Sequence, residues 1–328
     1  MERSPVFVTG AGGFIGRRLV RSLARDGHPV TALLMEAEPP APDWPADVTL
    51  ERGDVTRIET LRASIPEGAR IVHLAAMVGD WGEPQAHHRV TVQGTENLLA
   101  VAVEKKAEHL VLSSSIVVYG HHIGSGPLDE SHPFGDPLAP YDRCKQAQET
   151  LFVNYARNAD IPYTVIRPAN VFGPGSGPWV LSLLEEMKRG TPTLVGGGEF
   201  DAGLVYVDNL VDLFKRALER SEARNKTFIG ADGFGVTWRQ YMEDLASLAQ
   251  VPPPKSVPDW LARGSAPVMN WLWQLVGAER RPPITPLAYR LVGQPNEFSN
   301  QKAREQLGWE PAISYRMALS AIADSLTP

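Results

Sequence analysis

Thr9-Gly10-Ala11-Gly12-Gly13-Phe14-Ile15-Gly16 follows the apolar run Val6-Phe7-Val8 and opens a segment, Phe14 to Arg25, with Ile15, Leu19, Val20 and Leu23 at helical spacing. A short β-branched run, a glycine turn and an amphipathic stretch describe a strand handing over to a helix. Gly10, Gly13 and Gly16 permit a tight turn, close approach of the backbone to a pyrophosphate, and close packing of the helix. The helix N-terminus, with Gly12, Phe14 and Ile15 beside it, would offer unpaired N–H groups and a positive dipole end to the phosphates. The glycines stand three apart, and the usual dinucleotide fingerprint would place a glycine where Ile15 stands.

Outward from this loop the pattern repeats. Val30 to Leu34, Val48 to Leu50, Ile71 to Leu74, His109 to Leu112 and Tyr163 to Ile166 read as strands, with helical patterns at about Thr91–Lys105 and Tyr141–Asn158. Strands alternating with helices predict βαβ units and an α/β fold, a doubly wound parallel Rossmann sheet covered on both faces. After about residue 170, turn clusters at Gly173-Pro174-Gly175, Pro252-Pro253-Pro254 and Pro282-Pro283 separate shorter helical stretches. These stretches are Leu181–Arg189, Asn209–Glu219, Arg239–Ala249 and Arg316–Ser325. Residues 1–170 are expected to form the dinucleotide-binding Rossmann core. Residues 171–328 are expected to form mainly a smaller C-terminal substrate-binding region, with a segment at about 204–220 returning to the core.

Composition narrows the classes. The chain has 328 residues, a net charge of −6 and a single cysteine. One cysteine excludes a disulfide framework and a cysteine metal site, and no metal is expected. Mild acidity without a basic block argues against nucleic acid or an anionic membrane as the main partner. Met1-Glu2-Arg3-Ser4-Pro5 lacks the charged and apolar regions of a signal peptide. Ala266 to Val276 is about half a membrane span, broken by Asn270 and Gln274. The expectation is a cytoplasmic protein without a transmembrane segment.

Tyr141-Asp142-Arg143-Cys144-Lys145 opens a helical stretch, and its spacing stacks Tyr141 over Lys145. A phenol of pKa near 10 is a poor base at neutrality. An adjacent ammonium, helped by the positive charge of an oxidised nicotinamide, favours phenolate, so the spacing predicts a lowered pKa at Tyr141 and a proton-transfer role. Each unit of lowering asks for about 1.4 kcal/mol of differential electrostatics.

With Gly53-Asp54-Val55, His73-Leu74-Ala75-Ala76, Gly94-Thr95-Glu96-Asn97 and Ser113-Ser114-Ser115-Ile116-Val117-Val118-Tyr119-Gly120, these motifs resemble the extended branch of the short-chain dehydrogenase/reductases, the NAD-dependent epimerase/dehydratase superfamily. The resemblance covers nearly the whole chain. It implies that Asp54 and Val55 meet the adenine and that Leu74, Ala75 and Ala76 lie along the phosphates and ribose. Tyr141 would be the acid/base, and Lys145 would lower its pKa and hold the ribose. Ser115, with Ser114 as the alternative, would orient the substrate oxygen. From Arg167-Pro168-Ala169-Asn170-Val171-Phe172-Gly173, Pro168, Asn170 and Val171 would border the nicotinamide, and Asn170 the substrate also. A homodimer through a helix pair including Tyr141–Asn158 is a further implication. Thr91 departs from the family, which usually has asparagine there. Glu36, in Leu34-Met35-Glu36 at the end of the second strand, would face the adenosine ribose. Because no arginine stands in that stretch, NAD is favoured over NADP.

The substrate is read from absences and from the tail. Ile116 and Val117 stand where dehydratases of this branch carry acids, and Ala202-Gly203-Leu204-Val205-Tyr206-Val207-Asp208 lacks the arginine with which nucleotide-sugar enzymes face a diphosphate. Trp260-Leu261, Val268-Met269-Asn270-Trp271-Leu272-Trp273 and Arg281-Pro282-Pro283-Ile284-Thr285 resemble the 3β-hydroxysteroid dehydrogenase-type group. The resemblance implies an NAD(P)-dependent oxidoreductase interconverting a secondary alcohol and a ketone on an apolar substrate, steroid- or sterol-like or a 3-oxo acid. A nucleotide-sugar epimerase with tightly bound NAD and a non-catalytic dinucleotide sensor are the alternatives. Met77 to Gly82, with Val78, is expected in the pocket wall. The apolar segment 257–277 can be a lid, a core helix, a dimer contact or a peripheral membrane contact. Cys144, one residue off the Tyr141–Lys145 face, is expected to pack beside the pair and not to act as a nucleophile.

Overall fold

The computed structural model describes residues 4–326. The first half of the chain comprises β1 (Val6–Thr9), α1 (Phe14–Arg25), β2 (Val30–Leu34), β3 (Thr49–Arg52), α2 (Ile58–Ser64), β4 (Arg70–His73), α3 (Pro84–His87), α4 (Gly94–Glu104), β5 (His109–Ser113), α5 (Pro140–Asn158) and β6 (Tyr163–Pro168). There follow β7 (Asn170–Phe172), α6 (Ser182–Arg189), β8 (Pro192–Val195), β9 (Leu204–Tyr206), α7 (Val207–Glu219), β10 (Lys226–Gly230) and α8 (Trp238–Ala249). The chain then runs through β11 (Lys255–Val257), α9 (Asp259–Leu275), α10 (Pro286–Gly293), α11 (Gln301–Leu307) and α12 (Tyr315–Leu326).

β1 sits in a seven-stranded sheet of order β10-β6-β5-β4-β1-β2-β3, parallel throughout. The chain moves outward from β1 to β3 on one side and restarts at β4 on the other. The switch point therefore lies between β1 and β4, where open α/β sheets bind ligands at their carboxyl ends. Alternation along β1 feeds two cores. Val6 and Val8 pack with Leu19 and Leu23 of α1 and Leu210 and Phe214 of α7. Phe7 faces Leu61, Leu98, Leu99, Phe152 and Ala156 on the other side. This double coverage is the expected α/β architecture.

A third core, around Phe172, Leu184, Trp238, Tyr241 and Ile322, builds the C-terminal region. Phe172 and Tyr241 meet edge to face, with ring centroids 5.5 Å apart. β8 pairs with β11 and β7 with β9 in small parallel ribbons. Two readings needed adjustment. The helix expected from Thr91 is α-helical only from Gly94, after a wide π turn over His88–Gln93. β10, absent from the expected strands, forms the sheet edge beside β6.

The segment 257–277 is helical, but the core reading of its tryptophans is overturned. α9 buries only Ala262 and Ala266, while Trp260 and Trp271 are 74% and 60% exposed. The small alanines let this helix lie close to the body while its large side chains point outward. Among the described residues, no helix is long and apolar enough to cross a membrane.

Candidate active site

The end of β1 and the start of α1 form a cradle that only glycine permits. Gly10 has φ +63°, and a Cβ there would lie 2.9 Å from the Ala75 amide nitrogen, beyond the end of β4. A Cβ at Gly16 would run into the Gly10 carbonyl oxygen. α1 starts at Phe14, its N-cap Gly13 has no side chain to cap it, and its first turn holds no acid. Free N–H groups and an uncompensated dipole end thus face the switch point, which fits a dinucleotide pyrophosphate. Leu74, Ala75 and Ala76 follow β4 and lie half-buried on the opposite side.

The adenosine end differs from expectation in one residue. Glu36 is exposed on the turn after β2, whereas the Glu38 carboxylate occupies the space a Cβ at Gly12 would need. The Arg52 guanidinium, at the end of β3, donates to the carbonyls of Met35, Glu36 and Glu38 and folds this turn back over the loop. This fold-back, made by a tertiary contact, is what brings Glu38 to Gly12. The Asp54 carboxylate accepts the Thr56 amide at 2.8 Å, and the Val55 carbonyl accepts Asn97 Nδ2 at 3.0 Å. Gly94 makes room for Val55, whose Cγ2 would lie 2.7 Å from a Cβ there. Two positions of Gly94-Thr95-Glu96-Asn97, Gly94 and Asn97, thereby acquire physical roles.

Ser115, Tyr141 and Lys145 converge at the carboxyl end of β5 and the first turns of α5. The Ser115 hydroxyl accepts the Val117 amide at 3.3 Å and hydrogen-bonds to the Tyr141 phenol. Ser114 is turned away and buried, donating to the Glu149 carboxylate at 2.5 Å, so Ser115 is the serine that can reach a substrate oxygen. Asp142 shapes the entry to α5 by accepting the amides of Leu138 and Ala139. Cys144 is buried and its thiol is pushed up by burial, which disfavours a nucleophilic thiolate.

The chain's own groups do not produce the lowering expected at Tyr141 beside an oxidised nicotinamide. Burial pushes the phenol up to about 12, against the opposing Ser115 hydrogen bond. Lys145 is instead the more perturbed partner, drawn down to about 7 by burial. The reason lies in where the ammonium points. Nζ donates to the Ser113 carbonyl at 2.8 Å and to Gln148 Oε1 at 2.9 Å. Helical spacing placed the two side chains on one face but could not say which groups the lysine would meet.

Gln148 begins a buried chain that returns to the glycine loop. Its Nε2 donates to Thr95 Oγ1 at 2.9 Å, and Thr95 donates to the Thr91 carbonyl at 2.6 Å. His73 Nε2 also reaches Thr95 Oγ1, at 2.8 Å, and His73 Nδ1 reaches Thr9 Oγ1 at 2.7 Å. Because Thr95 gives its proton to Thr91, it must accept from His73, which assigns the Nε2–H tautomer. Burial and then the Lys145 charge hold His73 down at about 3, so the ring is neutral. Thr9 donates to Nδ1 and accepts the Ala75 amide at 3.3 Å. Lys145 is thus anchored, through named donors and acceptors, to both strands of the switch point. Thr91, the departure noted in the sequence, also accepts the Met77 amide at 3.1 Å and so fixes the start of the next loop.

That loop, Met77 to Gly82, is tied down at the C-terminal region. Asp80 accepts Arg281 at 2.5 Å and 2.6 Å and the Thr285 hydroxyl, and Trp81 Nε1 donates to the Ala278 carbonyl at 3.1 Å. Val78 is 68% exposed on it. Pro168 ends β6, Val171 is half-buried in β7, and Asn170 Nδ2 is committed to the Ala202 carbonyl at 2.7 Å. A cavity of about 400 Å³ lined by Glu130, Asn154, Arg157, Lys226 and Lys302 lies beside α5 and β10 and includes none of Ser115, Tyr141 or Lys145. Among the described residues, no cluster of His, Cys, Asp and Glu could hold a metal.

Comparison with known proteins agrees with this geometry. The profile described as NAD dependent epimerase/dehydratase family matches residues 6–230. A 2-alkyl-3-oxoalkanoate reductase of Stenotrophomonas maltophilia is 26% identical over 98% of this chain and 98% of its own length. A UDP-glucose 4-epimerase of Vibrio cholerae is 25% identical over 93% of this chain and 90% of its own. The structure of a UDP-glucose 4-epimerase from Thermotoga maritima with UDP-glucose superposes with a TM-score of 0.76, covering 98% of each chain at 24% identity, which shows a shared fold.

Proposed function

This chain is an enzyme of the NAD dependent epimerase/dehydratase family, the extended branch of the short-chain dehydrogenase/reductases, and we propose that it interconverts a secondary alcohol and a ketone on an apolar substrate, steroid- or sterol-like or a 3-oxo acid. The observation that carries this reading is the apolar lining beside the acid/base group. Ile116 and Val117 are buried next to Ser115, and the segment Ala202–Asp208 carries no arginine of its own for a nucleotide-sugar diphosphate. The relatedness to a 2-alkyl-3-oxoalkanoate reductase along the full length supports it.

Ser115 and Tyr141 together hold the substrate oxygen. Tyr141 donates its proton to a carbonyl oxygen in reduction and takes it back in alcohol oxidation. Lys145, as an ammonium, has three donors, of which two are committed to Ser113 and Gln148, leaving one for the phenol or a ribose hydroxyl. When bound, a nicotinamide dinucleotide supplies or accepts the hydride and, oxidised, adds a positive charge that favours phenolate. A phenol held near 12 in the chain itself therefore stays protonated, the form a ketone reduction requires.

NAD is the cofactor favoured by the adenosine end. The Glu38 carboxylate at Gly12 suits a ribose diol and repels a 2′-phosphate, and Arg52 is committed to backbone carbonyls. Glu38→Gln is expected to shift the NADPH-to-NADH ratio of kcat/KM about tenfold towards NADPH. An unchanged ratio removes Glu38 from cofactor choice.

A panel of apolar hydroxy and oxo compounds, followed by nicotinamide absorbance with both cofactors, tests the function. Turnover on this panel is expected. The second reading, a nucleotide-sugar epimerase, draws on the Vibrio cholerae relative. It predicts protein that keeps NAD through dialysis and turns over sugar nucleotides without added cofactor. Full cellular function with Tyr141→Phe would leave only a dinucleotide-binding sensor.

A further inference from the structure

We infer that α9 is a docking surface for an anionic lipid bilayer, and that it seats the mouth of the active site on the membrane. At 3.6 residues per turn, the residues from Pro267 through Trp260, Trp271, Leu275, Val268 and Leu261 to Leu272 sweep an arc of roughly 140°. Gly264 completes this arc, and every residue on it is exposed. None of them ionises, and the arc runs the length of a helix of about 25 Å. The two indoles alone leave on the order of 250 Å² of ring surface uncovered. A monomer in water rarely leaves an apolar patch of more than roughly 300–600 Å² without a use for it.

The charges beside this arc indicate what covers it. Arg263 borders the arc, and Lys255 and Arg280 stand exposed beyond its two ends. Asp259 lies on the far side of the helix and accepts the Tyr289 hydroxyl at 2.9 Å, and Glu279 stands exposed beside Arg280. Lys255, Arg263 and Arg280 thus outnumber Glu279 along this rim, in a chain of net charge −6. Tryptophans on an uncharged arc with cations at its rim match the lipid headgroup boundary, where indoles settle and arginines meet phosphates.

Position gives the surface a purpose. The chain leaving α9 is bolted to the Met77–Gly82 loop through Trp81 and Ala278 and through Asp80 and Arg281. The exposed Val78 lies on that loop, whose Met77 amide is held by Thr91 in the buried chain that reaches Lys145. An apolar substrate dissolved in a bilayer would then pass from lipid to the site without crossing water. This step deepens the apolar-substrate reading, but its test measures binding and not turnover, so either can fail alone.

The experiment is co-sedimentation of the full-length protein with vesicles of phosphatidylcholine, with and without one quarter phosphatidylglycerol, together with light-scattering mass in solution. The protein is expected to pellet with anionic vesicles, less with neutral ones, and less at high salt. Trp260→Ser with Trp271→Ser should lower the partition coefficient about tenfold or more, with unchanged melting temperature and mass. Arg263→Gln, which leaves the arc intact, should weaken only the anionic preference. Protein that stays in the supernatant, or binds both vesicle types equally, overturns the inference. So does a double tryptophan variant that changes mass from dimer to monomer without changing vesicle binding, which would make α9 an interface between copies.

Discussion

Lys145 and Tyr141 are adjacent on α5, yet their environments move them in opposite senses, the phenol up to about 12 and the ammonium down to about 7. Tyr141→Phe is expected to lower kcat about a thousandfold with NADH binding unchanged, as measured by fluorescence titration. Gln148 gives a sharper test of how the lysine is held. Gln148→Leu removes an acceptor from the ammonium and should lower the Lys145 pKa further. Gln148→Glu adds an anion at the same point and should raise it. The limb of the kcat/KM profile that reports loss of the ammonium should move about one unit down and up respectively. Shifts of the same sign in both variants would reduce Gln148 to a packing residue. The Tyr141 and Lys145 pair was legible because four-residue spacing has one meaning on a helix. Gln148 was not, because its role exists only once Thr95 from α4 and His73 from β4 are brought against it.

At the level of elements, the glycine loop is the least forgiving part. Gly16→Ala drives a methyl group into the Gly10 carbonyl and is expected to cost about 1–3 kcal/mol of stability, read as a lower melting temperature, and to weaken NADH binding. A variant that melts and binds like the parent would contradict the cradle. The strands, loop and longer helices α1, α4 and α5 of this half were legible because period-two and period-3.6 patterns alternate along it, whereas the short α2 and α3 were not. The edge strand β10 was not, since Lys226-Thr227-Phe228-Ile229-Gly230 is short and follows a long excursion from β6. The segment holding α9 was readable as apolar but not as exposed, because periodicity reports that a helix has an apolar face and not which neighbour meets it. Of the candidate cofactor residues, the glycines were placed by local sequence. That the Glu38 carboxylate reaches Gly12 was not legible, because Arg52 folds the turn after β2.

For the molecule as a whole, the two regions are joined at a buried polar knot. Asp232 accepts the Tyr206 amide at 2.6 Å and Asn209 Nδ2 at 3.1 Å, while Asn209 also bonds the backbone of Ile313. Burial raises the Asp232 carboxyl to about 7. The folded chain therefore binds more protons here than the unfolded chain between about pH 4 and 7, and this contribution to stability falls as pH rises through that window. Asp232→Asn is expected to remove this slope, seen as a smaller loss of urea midpoint from about pH 5 to about pH 8 than in the parent. An identical loss in both proteins would place the proton elsewhere. We propose, as the central claim, that the whole assembly serves net hydride transfer to an apolar carbonyl, with a cofactor that is consumed and not merely retained. Its most direct test supplies a measured amount of NADH with an excess of a 2-alkyl-3-oxo acid or a 3-oxosteroid and counts NADH oxidised against hydroxy product by mass spectrometry. The expected result is one NADH consumed per hydroxyl group formed, abolished by Tyr141→Phe. No NADH consumed with any apolar oxo compound, while UDP-glucose is epimerised without net loss of cofactor, would contradict the account.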